Sequence, residues 1–185
     1  MKVWFTADTH FGHAGAIGRF KRPFHSVHEM DEALVTQWNS VVAARDEVWH
    51  LGDFAVRVAA DRMQALLARL NGTKHLIAGN NDGPATLALA GWASVQTYAE
   101  LQIDGVRLVL CHYPFRSWHG MQRGALNLHG HSHGRLARLT RQVDVGVDVW
   151  DFRPVTLDLI RAGGRRRATA RPRARVPGAS PRAAG

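Results

Sequence analysis

The sequence predicts a single α/β domain, and three observations lead there. Strand-like and helix-like segments alternate over the first half, polar side chains gather where each apolar run stops, and the second half turns to short strands with few helical stretches between them. Such alternation argues for parallel strands joined by crossover helices. In sheets of that kind ligands bind beyond the carboxyl ends of the strands.

The elements follow in order. Lys2–Ala7 is apolar, β-branched and aromatic, and reads as a strand ending at Asp8. A Gly- and Phe-containing loop is expected through Pro23. Ser26-Val-His-Glu29 has a capping-box pattern, and Met30, Leu34, Trp38 and Val41 or Val42 recur at helical spacing behind it. Glu47–Leu51 reads as a second strand, ending at Gly52-Asp53. Ala59–Leu70 reads as a helix with Met63, Leu66, Leu67 and Leu70 on one face and Gly72 just past its end. Lys74–Ala78 is the third strand, and Gly79-Asn80-Asn81-Asp82 closes it.

In the second half, Val95–Ile103, Val106–Leu110, Leu126–Leu128, Val143–Val149 and Val155–Ile160 read as short strands, with Asp104-Gly105 as a hairpin turn. Cys-His-Tyr-Pro follows one of them and His-Gly-His-Ser-His another. There is no internal repeat and no sign of a second domain.

Composition bounds the function classes. A chain of 185 residues can bury one real core, and 45% hydrophobic with 21% charged residues is ordinary for a globular protein. No apolar run is long enough to span a membrane, and MKVWFTADTH lacks the apolar stretch and cleavage site of a secretory signal. One cysteine, Cys111, permits no internal disulfide and fits a cytoplasmic setting. The net charge of +9 is uneven: seven of the 24 basic residues lie from Ala162 onward, so the first 161 residues carry 17 basic against 15 acidic groups. The expected division is a domain over 1–161 and a disordered Arg/Pro/Ala-rich tail over 162–185. Such a tail can serve as an arm for a polyanion or simply as a solvated terminus.

Collecting the residues at strand ends gives Asp8, His10, Asp53, Asn80, His112, His131 and His133. All are oxygen or imidazole donors, a set suited to Mn, Fe, Zn or Ni and unlike a cysteine-built structural zinc site. In Asp8-Thr-His10 and His131-Ser-His133 the candidates stand two residues apart, which on extended backbone places both side chains on one side. Seven donors exceed what one tetrahedral ion uses, so two divalent ions are expected, the arrangement that clamps in-line displacement at phosphorus.

These blocks, Asp8-Thr-His10, Gly52-Asp53, Gly79-Asn80, His112 and Gly130-His-Ser-His133, resemble in content and order the calcineurin-like metallophosphoesterase family, from the first strand to about Asp158. HFGH, HLGDF, HYPFRSW and VGVDVWDFRPV are similar to stretches of small bacterial and phage members. The resemblance implies two facing mixed β-sheets flanked by helices, with the site at one edge. It implies that Asp8, His10, Asp53 and His133 hold one metal, and that Asp53 bridges to a second completed by Asn80, His112 and His131. Manganese is the expected metal in vitro. The implied reaction is hydrolysis of a phosphate ester, a diester slightly preferred, by a metal-bridging hydroxide. The substrate is phosphorylated, with a nucleotide or nucleic acid among the candidates. The alternatives are a non-catalytic module on the same fold and a nuclease using the basic tail.

One position departs from the family, which usually has His where this chain has Asn81. Asn donates a hydrogen bond but is no general acid, and losing acid catalysis typically costs about 10²–10⁴-fold. His13, His119 and Arg116 are the local substitutes, and His13 and Arg116 also suit phosphate binding. Asp82 is expected to steady a ligand histidine. Among the rest, His50 reads as a core or supporting residue, and His25, His28 and His75 as surface. His129 is expected to point away from the ligand pair. Cys111, Trp4, Trp38, Trp49 and Trp150 read as core, and Trp118 as loop packing.

Overall fold

A computed structural model describes residues 1–137 and 139–163. Strands β1 (Val3–Thr6), β2 (Glu47–His50), β3 (Thr73–Ile77) and β4 (Trp92–Gln96) run parallel, and β9 (Val155–Thr156) pairs antiparallel with β1, giving the order β4-β3-β2-β1-β9. A second sheet has the order β5-β6-β7-β8, from β5 (Tyr98–Ile103), β6 (Val106–Cys111), β7 (Leu126–His129) and β8 (Gln142–Asp144); only the β5–β6 pair is antiparallel. A parallel bridge from Ala7 to Gly146 ties the two sheets together.

Alternation along the strands builds two core layers. Phe5, Trp49 and Ile77 face Leu108, Leu110 and Leu128 between the sheets. Trp4 and Val48 face the other way, against Met30, Leu34 and Trp38 of α2 (Val27–Asn39) and Met63 and Leu67 of α3 (Ala60–Arg69). Burying each such side chain contributes about 1.5–3 kcal/mol. The two facing mixed sheets with flanking helices are those the sequence implied. No helix of the described residues is long and apolar enough to cross a membrane.

Four local expectations need correction. The loop before Pro23 contains a short helix, α1 (Ala14–Phe20), which ends at left-handed Lys21. The Val95–Ile103 run is the end of β4 plus β5, and Pro84–Leu87 adds a helical turn, α4. Val143–Val149 is strand only as far as Asp144, the end of β8. In Val155–Ile160 only the first two residues are strand, because Thr156 caps a helix, α5 (Leu157–Arg161), by accepting from the Leu159 N–H at 3.4 Å. The predicted tail over 162–185 lies almost wholly outside the described residues.

The N-cap of α2 forms as expected, with Ser26 Oγ accepting from Glu29 N–H at 3.1 Å, but the Glu29 carboxylate reaches back to His25 N–H in place of Ser26. What matters for function is that β1, β2, β3, β6 and β7 all end on the same side. Asp8, Asp53, Asn80, His112 and His131 follow those ends.

Candidate metal centre

The loops after β1 and β7 share one conformation. Asp8 and His10 have φ of 59° and 50°, His131 and His133 have 64° and 48°. These are left-handed values, so the side chains do not converge through the pleat of an extended strand as their spacing suggested. A left-handed residue other than glycine costs about 1 kcal/mol or more, and Asp and His are among the types found there. The middle hydroxyl fastens each loop. Thr9 Oγ1 donates to the Phe54 carbonyl at 2.8 Å and accepts from His50 Nε2 at 2.9 Å. Ser132 Oγ donates to Asp144 at 2.6 Å, and Asp144 also accepts from the N–H groups of Gly134 and Gly146. His50 is thus a supporting core residue. Burial lowers its pKa to about 3, so it stays neutral.

Asp53, also left-handed at φ 59°, is 2% exposed and sits between two histidines. Its Oδ2 is 3.6 Å from His10 Nε2 and its Oδ1 is 3.6 Å from His112 Nε2. Asp82 accepts from the N–H groups of Asp53, Phe54 and Gly79 at 2.7, 2.9 and 2.8 Å. Asp82 therefore positions the backbone under Asp53, and it does not steady a histidine as expected. Burial raises its pKa, although the three N–H groups oppose this. Gly79 has to be glycine because a Cβ there would collide with Asp53 Oδ1.

His112 is fully buried, and its Nδ1 lies 2.8 Å from the Leu51 carbonyl. A carbonyl only accepts, so Nδ1 carries the proton and Nε2 presents its lone pair. That lone pair faces Asn80 Oδ1 at 3.1 Å, acceptor against acceptor, and His131 Nδ1 is 2.9 Å from the same oxygen. The His131 N–H donates to Asp8 Oδ1 at 3.1 Å, joining the two sheets across the site.

His133 Nδ1 is 2.7 Å from Asp148 Oδ2. The same carboxylate takes both Nε and Nη2 of Arg22 at 2.8 Å. Arg22, 4% exposed, also donates to the carbonyls of Asp8 and Thr9 at 2.7 and 2.9 Å. Burial pushes the Asp148 pKa up, but the bonds from His133 and Arg22 outweigh it and hold it below the usual range. Sequence reasoning missed Arg22, Asp144 and Asp148. Arg22 and Asp148 are 126 residues apart, and no spacing rule links them.

The centre leaves specific atoms unsatisfied. Among the described residues, Asp8 Oδ2 and both ring nitrogens of His10 are buried without a hydrogen-bond partner. Such orphans cost about 1–3 kcal/mol each. Burial, then Asp144 and Asp53, raise the Asp8 pKa well above the ordinary value, while burial and Arg22 lower that of His10 to about 2. A divalent cation would supply the missing partner for Asp8 Oδ2 and for the one His10 ring nitrogen that carries a lone pair. Ligand atoms of Asp8, His10 and His133 lie within 4.8 Å of one another, as do those of Asp8, Asp53 and His112. The side chains present fit metal ions held by oxygen and nitrogen.

The centre opens into a cleft of about 260 Å³ lined by His10, His13, Asp53, Asn81, His133 and the wall Arg19-Phe20 with Arg135. Asn81 and His13 both line this cleft. Burial, then Arg22, Arg57 and Arg19, lower the His13 pKa. Arg116 is exposed and does not line this cleft. His119 is bound to Glu100 and Arg107 beside the β5–β6 hairpin end, away from the cleft.

Arg19, Phe20 and Arg135 were not anticipated. Phe20 stacks on His133 with ring centroids 3.5 Å apart. Tyr113, 46% exposed, packs edge-on against His112 and His131. Trp118 is loop packing, donating to the Ala125 carbonyl, and Cys111 and the four core tryptophans are buried as expected. His25 and His28 are exposed, whereas His75 is half-buried and stacks on Trp49. His129 is buried, with Nδ1 2.8 Å from the Gly130 carbonyl.

Comparison with known proteins places this geometry. The model of the calcineurin-like phosphoesterase superfamily domain matches residues 1–150. MJ1445, an uncharacterized protein of Methanocaldococcus jannaschii, is 32% identical over 167 residues, covering 86% of this chain and 89% of its own. The gene 66 protein of Mycobacterium phage D29 is 31% identical over 181 residues, covering 80% and 88%. Among solved structures, the Aquifex aeolicus protein of unknown function AQ665 superposes with a TM-score of 0.71 at 22% identity, covering 86% of this chain and 97% of that one, which shows a common fold.

Proposed function

The chain belongs to the calcineurin-like phosphoesterase superfamily and is a metal-dependent hydrolase of phosphate esters, and on that premise we propose that it is a dinuclear phosphodiesterase. Asp8, His10, Asp53 and His133 would hold one ion, and Asp53, Asn80, His112 and His131 the other. The carrying observation is the Asp53 carboxylate, whose two oxygens face His10 and His112 at equal distances of 3.6 Å. Of these donors only a carboxylate offers two anionic oxygens to two cations at once. Such ions, when bound, polarise phosphoryl oxygens and activate water for in-line attack.

The protein's own groups set the rest. Tautomer control by Leu51 and Asp148 keeps the Nε2 lone pairs of His112 and His133 turned inward. Water adds to phosphorus, the ester P–O bond breaks, and the leaving oxygen must find a proton. Asn81 cannot give one, and the lowered pKa of His13 leaves it less readily protonated than an ordinary imidazole. The reading is therefore an enzyme for esters with good leaving groups. The Arg19-Phe20-Arg135 wall gives a second ester substituent room to lie, which favours diesters.

The test is hydrolysis of p-nitrophenyl phosphate and bis-p-nitrophenyl phosphate by metal-stripped and manganese-reconstituted protein. Manganese-dependent turnover with the diester ahead supports the reading. Turnover that is indifferent to metal, or confined to the monoester, contradicts it.

A further inference from the structure

We propose that Arg19 and Arg135 form a second anion subsite beside the metal centre, taking a further phosphate of a nucleotide-like substrate while the scissile phosphate sits at the metals. The proposal rests on the phosphodiesterase reading and names the substrate class for it.

Arg19 and Arg135 line the same cleft as His10, Asp53 and Asn81. Arg22, Arg62, Arg69 and Arg107 each pair with a carboxylate, yet among the described residues neither Arg19 nor Arg135 does. They are nonetheless held in place. Arg135 Nη2 donates to the Arg19 carbonyl at 2.5 Å, and the two guanidinium carbons lie 5.2 and 5.8 Å from the Phe20 ring centroid. Phe20 in turn stacks on His133, so the pair is anchored to the ligand shell.

Arg22 also lies over Phe20, at 5.6 Å, but Asp148 neutralises it. Two cations without a carboxylate partner among the described residues thus share one aromatic platform next to a centre whose proposed substrate is an anion. An anion lying between two such cations offsets their mutual repulsion. The guanidinium fork matches phosphate oxygens in geometry and charge. The first 161 residues are near neutral, with 17 basic against 15 acidic groups, so the excess here is local and not a share of general basicity.

A matched pair of ligands isolates the subsite. Thymidine 5′-monophosphate and thymidine 3′,5′-bisphosphate are titrated calorimetrically into manganese-loaded protein. In parallel, thymidine 5′-(p-nitrophenyl phosphate) is assayed with and without a 3′-phosphate. A charge-assisted contact implies that the second phosphate improves binding and kcat/KM by about 10-fold or more. That advantage falls toward unity in the Arg19→Ala/Arg135→Ala double variant, with Arg19→Lys/Arg135→Lys intermediate and all melting temperatures alike. Equal binding of the two ligands by the wild type, or an advantage that survives the double variant, overturns the subsite. Selective binding without turnover of either ester supports the subsite and instead sinks the phosphodiesterase reading.

Discussion

Asn81 donates twice to Asp53, through its backbone N–H to Oδ1 at 2.8 Å and through its side-chain amide to Oδ2 at 2.6 Å. The residue that replaces the family's usual histidine thus bonds the proposed bridging carboxylate itself. A neutral amide there orients Asp53 but brings no proton to a departing oxygen.

Asn81→His should accordingly widen the substrate range. Phosphate esters with poor leaving groups should gain up to about 10²–10⁴-fold in kcat, with much less change for p-nitrophenyl esters. The readout is the ratio of rates for an alkyl and a p-nitrophenyl ester. If that ratio does not move, the missing acid is not what limits this enzyme.

Asp148 carries two duties, orienting His133 and neutralising buried Arg22. Asp148→Ala should weaken metal binding by about 10–100-fold, as loss of an outer partner does. It should also lower stability by about 3–5 kcal/mol, because Arg22 is left buried and unpaired. Metal titration and urea denaturation read the two separately. The second loss should shrink in Arg22→Met/Asp148→Ala, while the first should persist. Stability unchanged in Asp148→Ala would show that Arg22 finds another partner.

Asp46 predicts an acid limit independent of the metals. Its carboxylate accepts from the N–H groups of Lys2 and Ala43 and from Trp4 Nε1, which lower its pKa to about 2. A carboxylate whose folded pKa lies below its unfolded value of about 3.9 stabilises above that value, and loses the contribution as pH falls through the folded one. The melting temperature of wild-type protein should fall more steeply than that of Asp46→Asn from about pH 4 to 2. Parallel curves would contradict the assignment.

Much of this was legible because the parallel strands are short apolar runs with polar residues at their ends, and both period and punctuation survive in the sequence. Every proposed metal ligand stood at such an end. The supports were not legible, since Arg22 and Asp148 meet only through the tertiary fold, and Asp82 serves the backbone of a loop 29 residues away. Helix α1 was hidden by its own composition. Ala14-Gly-Ala-Ile-Gly-Arg-Phe20 holds two glycines, poor helix formers, and gains its form from packing of Ala16. Val155–Ile160 fits strand and helix periods equally, and a single threonine cap decides it. The left-handed ligand loops have no periodic signature at all.

The central claim is that Asp53 joins two metal ions. Electron paramagnetic resonance of manganese-loaded protein tests it most directly, with metal content measured on the same sample. The account predicts two ions per chain with an exchange-coupled signal, replaced in Asp53→Asn by the signal of isolated manganese. A single, uncoupled ion in the wild type would contradict it.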